Sequence, residues 1–350
     1  MIILVWSMDT TANTRTPDPN GRQLDGMGGG LSSLSKVCVV GTSKREDADV
    51  DYTFAAIGVR DDEVDFSSNC GNMTSAIGPF AIDSGLVRKE LGETKTTVRI
   101  CNTNTGKIIH STFAVSPGDN EAVADGDFMI DGVAGTAARI ELAFLDPAGS
   151  KTGKLLPTGN VIDMFDGIAA TCIDAGNPCV FVSTTGPGSI DVSGTILPEA
   201  METFPRLLPK LESIRRQAAV AMGICKDEAS TPGSIPKIAI VSPARTNEII
   251  SGATIDEKDI DLVVRALSVG QPHRALPVTV GMALAAAANV KGSLVHGLVP
   301  EARADEHGIT LGHPSGKLLV GAKFDEQGIT AATVFSTARR LFDGNVYWKE

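Results

Sequence analysis

The chain has 350 residues, more than one domain usually holds, with 42% hydrophobic and 21% charged residues; this excludes disordered and fibrous classes and points to two packed domains. Lys and Arg number 31 against 42 Asp and Glu, a net charge of −11 with no basic run, so neither nucleic acid nor an anionic membrane surface is expected as a partner. Aromatics make up 5%, too few for a base-stacking surface.

The opening Met-Ile-Ile-Leu-Val-Trp is apolar for six residues, too short for a secretory signal or a membrane span. Residues 9–22, rich in Thr, Asn, Pro and Asp, read as unpacked. Strands are predicted at 36–41 and 50–59, then a helix over 69–87 that Pro79 should kink. Two strands at 97–100 and 107–113 flank an Asn-Thr-Asn-Thr-Gly turn, and residues 132–159 read as strand-poor and loop-rich. Strands return at 168–174 and 179–182, and one amphipathic helix is expected over 198–224. The alanine-rich stretch 282–290 reads as a packed helix.

Six cysteines at 38, 70, 101, 172, 179 and 225 form no Cys-x-x-Cys pair, and five histidines form no His-x-x-x-His pair. No disulfide framework and no metal site is expected, and a reducing compartment, the cytoplasm, follows. Five of the cysteines, all but Cys70, sit in apolar or strand contexts and read as core.

The two halves of the chain resemble each other. Ser35-Lys36-Val37-Cys38-Val39-Val40 parallels Pro236-Lys237-Ile238-Ala239-Ile240-Val241, and about 34 residues beyond each lysine a helix is expected to begin, at 69–72 and near 271–275. Farther on, Asn104-Thr105-Gly106-Lys107 matches Pro314-Ser315-Gly316-Lys317. A duplicated α/β unit follows, with a first domain over 1–165, joined by 336–350, and a second over 166–335. A cleft between the halves is the default site. The register also suggests that the first half lacks a strand and a helix ahead of Lys36, leaving a bare sheet edge near 36–40 or an exposed apolar patch.

Asn69-Cys70-Gly71-Asn72-Met73 is the most informative stretch. A cysteine at a helix N-terminus meets free backbone N–H groups and the positive end of the helix dipole, which suits acid–base work; a buried cap is the competing reading. The glycine run 26–30 ahead of Ser35 and Lys36 lacks the order of a nucleotide-binding loop. A partly desolvated Lys36 could act as a carbon-acid base. In the second half Arg274 could fork onto a carboxylate, and the Ser315–Gly316 turn could offer a hydroxyl and an N–H to the same anion.

Taken together, these segments resemble the PrpF family of 2-methylaconitate isomerases, methylitaconate isomerases, oxalomesaconate tautomerases and aconitate isomerases. The residues that carry the resemblance are 22–30 with Ser35 and Lys36, Asp49-Val50-Asp51-Tyr52 with Phe54, Asn69-Cys70-Gly71-Asn72-Met73, Gly78-Pro79-Phe80-Ala81, Asp174-Ala175-Gly176-Asn177-Pro178 and His313-Pro314-Ser315-Gly316. The resemblance implies an α/β (α+β) fold of the diaminopimelate-epimerase-like kind, two similar domains whose strands each wrap a central helix, and no cofactor. It implies Lys36 and Cys70 as the catalytic pair, with Ser35, Asn69, Gly71, Asn72, Met73, Arg274, Ser315 and Gly316 binding substrate. The expected activity is cofactor-independent movement of the double bond of an unsaturated di- or tricarboxylic acid; a weak or inactive paralogue that binds a carboxylate or a partner protein is the alternative. No cysteine stands near 271–275, which favours an isomerase over an epimerase. Family members usually begin with a strand and an Arg-Gly-Gly-Thr-Ser-Lys-Gly turn, which this sequence does not contain. Homo-oligomerisation is left open.

Overall fold

Buried and half-buried residues alternate over 37–40 and 50–54, and this alternation builds the first hairpin of the chain. The computed structural model describes residues 3–5, 36–57, 64–66, 70–131, 133–268, 270–326 and 328–344. The chain divides into two compact units, one of Met1–Met129, Gly135–Leu145 and Ser336–Glu350, the other of Ile130–Ala134 and Asp146–Phe335. The division falls after Leu145, twenty residues earlier than the sequence reading placed it. Buried Asp174 is the reason: its carboxylate accepts from the backbone N–H of Lys151 and Thr152, each at 2.8 Å, and from the hydroxyls of Ser150 and Thr152.

The first unit contains β1 (Ile3–Val5), β2 (Lys36–Thr42), β3 (Val50–Ile57), β4 (Val64–Asp65), α1 (Gly71–Asp83), β5 (Lys95–Asn102), β6 (Lys107–Ala114) and β7 (Ile140–Leu145). Its strands lie in the order β1-β2-β3-β5-β6-β7, with β4 beside β3. One face packs on α1 through Cys38, Val40, Tyr52, Ile100, Ile109 and Leu142, each at most 1% exposed.

The second unit contains β8 (Asp163–Phe165), β9 (Ile168–Asp174), β10 (Pro178–Ser183), α2 (Pro198–Thr203), α3 (Leu207–Ala221), β11 (Lys237–Pro243), β12 (Asn247–Glu248), β13 (Thr254–Ile255), β14 (Leu262–Ser268), β15 (Gln271–Pro272), α4 (Val278–Asn289), α5 (Leu294–Leu298), β16 (Ile309–His313), β17 (Gly316–Asp325) and β18 (Gly328–Ser336). Every residue of α4 from Val280 to Ala288 is buried. Its small side chains let β9, β10 and β17 close around it. On the opposite face α3 seals β9, β10 and β11 with Leu211, Ile214 and Ala218 against Cys172, Val180 and Ile240. Strands covered on both faces read as continuous apolar runs, as Ile168–Asp174 and Pro178–Ser183 do.

The duplication is visible strand by strand. β1–β2 and β10–β11 are parallel, β2–β3 and β11–β14 antiparallel, β3–β5 and β14–β16 parallel, and β5–β6 and β16–β17 antiparallel. The short β4 lies on β3 as β15 lies on β14. α1 and α4 follow these hairpins in the same place.

Four expectations need correction. The helix over 198–224 is two helices, because Pro205 cannot continue the first and Arg206 turns with φ 61°. The second central helix starts at Val278, not near 271–275, where β15 forms instead. The stretch 132–159 holds β7, whose Ile140, Leu142 and Phe144 alternate inward. Finally, the edge at 36–40 is not bare: Ile3 pairs with Val37 and Val5 with Val39, the place β10 takes beside β11. The face of the first sheet turned from α1 carries Asp51, Thr53, Thr97, Arg99 and Thr112, and the apolar Val37 and Val39 on it are half-buried, so the expected apolar patch is not what that face presents. The glycine run 26–30, Ser35 and Asn69 lie outside the described residues.

Candidate active site

Lys36 opens β2, and period-two alternation sets its side chain on the face of Cys38 and Val40, toward α1. Cys70 is the N-cap of α1, in extended backbone (φ −113°, ψ 104°), and its thiol makes no capping bond to the helix. Lys36 Nζ donates instead to Cys70 Sγ at 3.4 Å. The two groups named from sequence thus meet, 34 residues apart in the chain.

The N-terminus of α1 adds an electropositive wall. Its first turn contains no acidic residue, so nothing in that turn neutralises the dipole. Gly71 and Asn72 contribute N–H groups that no intrahelical carbonyl can reach. Met73 differs from expectation, since its N–H donates to the Cys70 carbonyl at 3.0 Å and its side chain is buried. Thr74 donates to the same carbonyl through its N–H at 3.0 Å and its hydroxyl at 3.1 Å.

Beneath the pair lie two groups that the sequence reading named, Tyr52 within a family segment and Cys38 as core, but did not place at the site. Tyr52 and Cys38 are both fully buried. Burial, reinforced by the neighbouring Cys70, pushes the Cys38 thiol far up and keeps it protonated. Burial does the same to the Tyr52 phenol. The residues are diagonal neighbours on adjacent strands, Cys38 standing opposite Phe54 and Tyr52 opposite Val40. A strand-pairing argument applied to the two alternating runs would have placed them together.

The remaining predicted residues lie in the second unit. Arg274 precedes α4 by four residues and is paired with Glu199 at 2.8 Å, both well exposed. The Ser315 hydroxyl donates to the Arg274 carbonyl at 2.6 Å. Beside Gly316, with φ 146°, sits the carboxylate of Asp131, which accepts from the N–H of Lys317 at 2.6 Å; a Cβ on Gly316 would overlap Asp131. The Ser315 hydroxyl is thus engaged with a carbonyl, and the carboxylate beside the turn is held by the N–H of Lys317. His313 ahead of it is buried and pushed down to about 4, burial being the main cause, and its Nδ1 accepts from the N–H of Ser315 at 3.2 Å.

Among the described residues no group of three or more His, Cys, Asp and Glu could hold a metal ion, and no helix is long and apolar enough to cross a membrane. All six cysteines are free; Cys225, expected in the core, is only half-buried.

The fold is a duplicated α/β one, with Lys36 and Cys70 in contact at the N-terminus of the first central helix. The chain belongs to the PrpF family: the family model described as PrpF protein matches residues 15–349. It is 36% identical over 337 residues to 3-methylitaconate isomerase of Eubacterium barkeri, covering 94% of this chain and 87% of the relative. It is 37% identical over 347 residues to 2-methyl-aconitate isomerase of Shewanella oneidensis, covering 95% and 86%. The solved structure of a methylitaconate-delta-isomerase superposes with a TM-score of 0.87 at 34% identity, covering 98% of this chain and 91% of that one. The expected fold, two similar units with strands wrapped around a central helix, is the one found.

Proposed function

We propose that the protein is an isomerase that shifts the double bond of a small unsaturated polycarboxylate, with Lys36 and Cys70 as its proton-transferring pair. The observation that carries this reading is the 3.4 Å contact between Lys36 Nζ and Cys70 Sγ at an unneutralised helix N-terminus. The relatives named for methylitaconate and methyl-aconitate isomerisation support the substrate class.

Lys36 as free amine takes a proton from the carbon allylic to the double bond. The electron pair of that C–H bond spreads into a dienolate whose charge rests on carboxylate oxygens. The N–H groups of Gly71 and Asn72, with the helix dipole, are placed to stabilise such an anion. The Cys70 thiol protonates the far end of the allyl system, and the double bond has moved with no net change in atoms or electrons. Lys36 then returns its proton to the Cys70 thiolate across their direct contact, which resets the pair. Ser35 and Asn69, flanking the two groups in sequence, and Arg274, Ser315 and Gly316 are carried in this reading as substrate contacts. For Arg274, binding requires exchange with Glu199; the Ser315 hydroxyl must leave the Arg274 carbonyl, and the Asp131 carboxylate must clear the place beside Gly316.

The test is proton exchange. Incubated with 3-methylitaconate or cis-aconitate in deuterated water, the enzyme should incorporate deuterium and form the isomer. Cys70→Ser and Lys36→Gln should each lower turnover about 10²-fold or more, the range of general acid–base catalysis. Full turnover by both variants would refute the assignment.

A further inference from the structure

The Cys70 thiol can meet Lys36 because something other than the thiol holds the Cys70 backbone. An N-cap side chain usually folds back to accept from the N–H of the second or third helical residue. Cys70 makes no such bond, yet its backbone keeps an extended conformation from which α1 starts cleanly. On the carbonyl side, Met73 N–H, Thr74 N–H and Thr74 Oγ1 all converge on the Cys70 oxygen at 3.0–3.1 Å. On the other side stands the Tyr52 hydroxyl, hydrogen-bonded to the backbone of Cys70 and to the Thr74 side chain, and in contact with the Cys38 thiol.

We propose that Tyr52 is a positioning residue: through its hydroxyl it clamps the Cys70 backbone and the Thr74 hydroxyl, and so aims the Cys70 thiol at Lys36. Tyr52 touches no substrate in this account. Three features give it this part. It is 0% exposed on the face of β3 that packs on α1, so its ring cannot swing away. Its own carbonyl is held by Asn102 Nδ2 at 3.4 Å and by Thr103, which fixes the strand beneath it. Its hydroxyl reaches the one helical turn in which Cys70 and Thr74 share a bond. A buried phenol needs a polar partner for its hydroxyl, and here the partners are the N-cap residue and the residue that closes the cap. The inference rests on the reading of Cys70 as a proton donor, and its test separates the two.

Tyr52→Phe keeps the ring and removes the hydroxyl. With 3-methylitaconate as substrate, kcat should fall about tenfold with KM within about twofold, since a small misplacement of a reacting group acts on turnover. Alkylation of Cys70 by iodoacetamide, read on the Cys70 peptide by mass spectrometry, should slow at least about threefold as the sulfur drifts from Lys36 Nζ, the base that can take up its proton. Thr74→Val should move both readouts in the same direction, and Thr74→Ser should restore them; this pair decides the matter if Tyr52→Phe does not fold. A wild-type alkylation rate in Tyr52→Phe overturns the proposal. So does a loss of activity that only tracks the loss of folded protein. Slower alkylation with unchanged kcat would leave Tyr52 as the positioning residue and remove Cys70 from the chemistry. If none of the acids tested is turned over, the alkylation rates still decide the role of Tyr52.

Discussion

Gly78 sits in the middle of α1 with the sheet pressed against it. A Cβ built there would lie 2.4 Å from Ser111 Oγ, 2.7 Å from a ring carbon of Phe113 and 2.8 Å from Ser111 Cβ. Gly281 in α4 faces a looser wall, with Val320 Cγ1 at 3.0 Å and Leu318 Cδ2 at 3.1 Å, both ends of flexible side chains. Alanine gains about 1 kcal/mol over glycine in a helix interior, whereas overpacking costs about 1–3 kcal/mol. Gly78→Ala, whose clash includes Ser111 Cβ and so sits toward the costly end, should therefore lose up to about 2 kcal/mol, and Gly281→Ala should change stability by less than about 1 kcal/mol. Denaturant unfolding of the two variants checks the contrast; equal losses would mean that Ser111 and Phe113 can yield. At this scale the sequence was legible where chemistry is local. Cys70 between Asn69 and Gly71 stood out locally, with a buried cap as the equal reading, whereas Lys36 as its partner came from the family resemblance. The placement of Tyr52 and Thr74 at the site escaped, because their partnership with Cys70 exists only once β3 is laid against α1.

The loop 149–155 shows how one buried side chain can decide where an element belongs. Asp174 ends β9 fully buried and supplies acceptors to two N–H groups and two hydroxyls of 150–152, while its own N–H donates to Leu155 O and its carbonyl accepts from Gly149. Four donors converging on one carboxylate satisfy it as fully as its geometry allows. Asp174→Asn places an amide NH2 against donors and strands at least one of them, which costs about 1–3 kcal/mol. The expected result is a drop in melting temperature together with early proteolytic cutting within 149–155, at wild-type sites elsewhere. The sequence ends a strand at Asp174, as found, but the loop it captures falls to the first unit in that reading, because a capture by a strand end some twenty residues downstream leaves no periodic trace. The same limit hid β1, three residues long and paired with a strand 34 positions away. It also hid β7, whose six alternating residues stand alone in a glycine-rich stretch. Pro205, by contrast, was visible in the sequence as a breaker, and the amphipathic pattern of 198–224 outweighed it wrongly.

Across the whole molecule the duplication was readable from three short matches, and strand pairing extends it to every sheet neighbour from β1/β10 to β6/β17. The two copies differ in what they bury, and this difference sets the response to acid. In the second unit His313 is 4% exposed and pushed down to about 4, and His273 is lowered by burial and by Lys237. In the first unit only His110 is lowered among the described residues, by partial burial and then Arg99. A histidine that stays neutral when folded but takes a proton near 6.5 when unfolded favours the unfolded chain as pH falls. Its contribution is complete above about 6.5, is lost progressively below that, and is spent by about 4. Between pH 7 and 5 His313 alone removes about 2 kcal/mol from the second unit, an order-of-magnitude figure from the linkage relation. The depressed carboxylates do not interfere in this window: Glu212, held down to about 2 by Arg215 and then Arg216, is ionised in both states above pH 5. Hydrogen exchange, corrected for its intrinsic pH dependence, should show peptides of β16 and β17 losing more protection from pH 7 to 5 than peptides of β5 and β6. His313→Asn keeps an acceptor for the Ser315 N–H and cannot take up the proton, so it should flatten the loss in β16 and β17 and leave β5 and β6 as they were. An unchanged pH dependence in that variant would show that His313 is not the group being titrated.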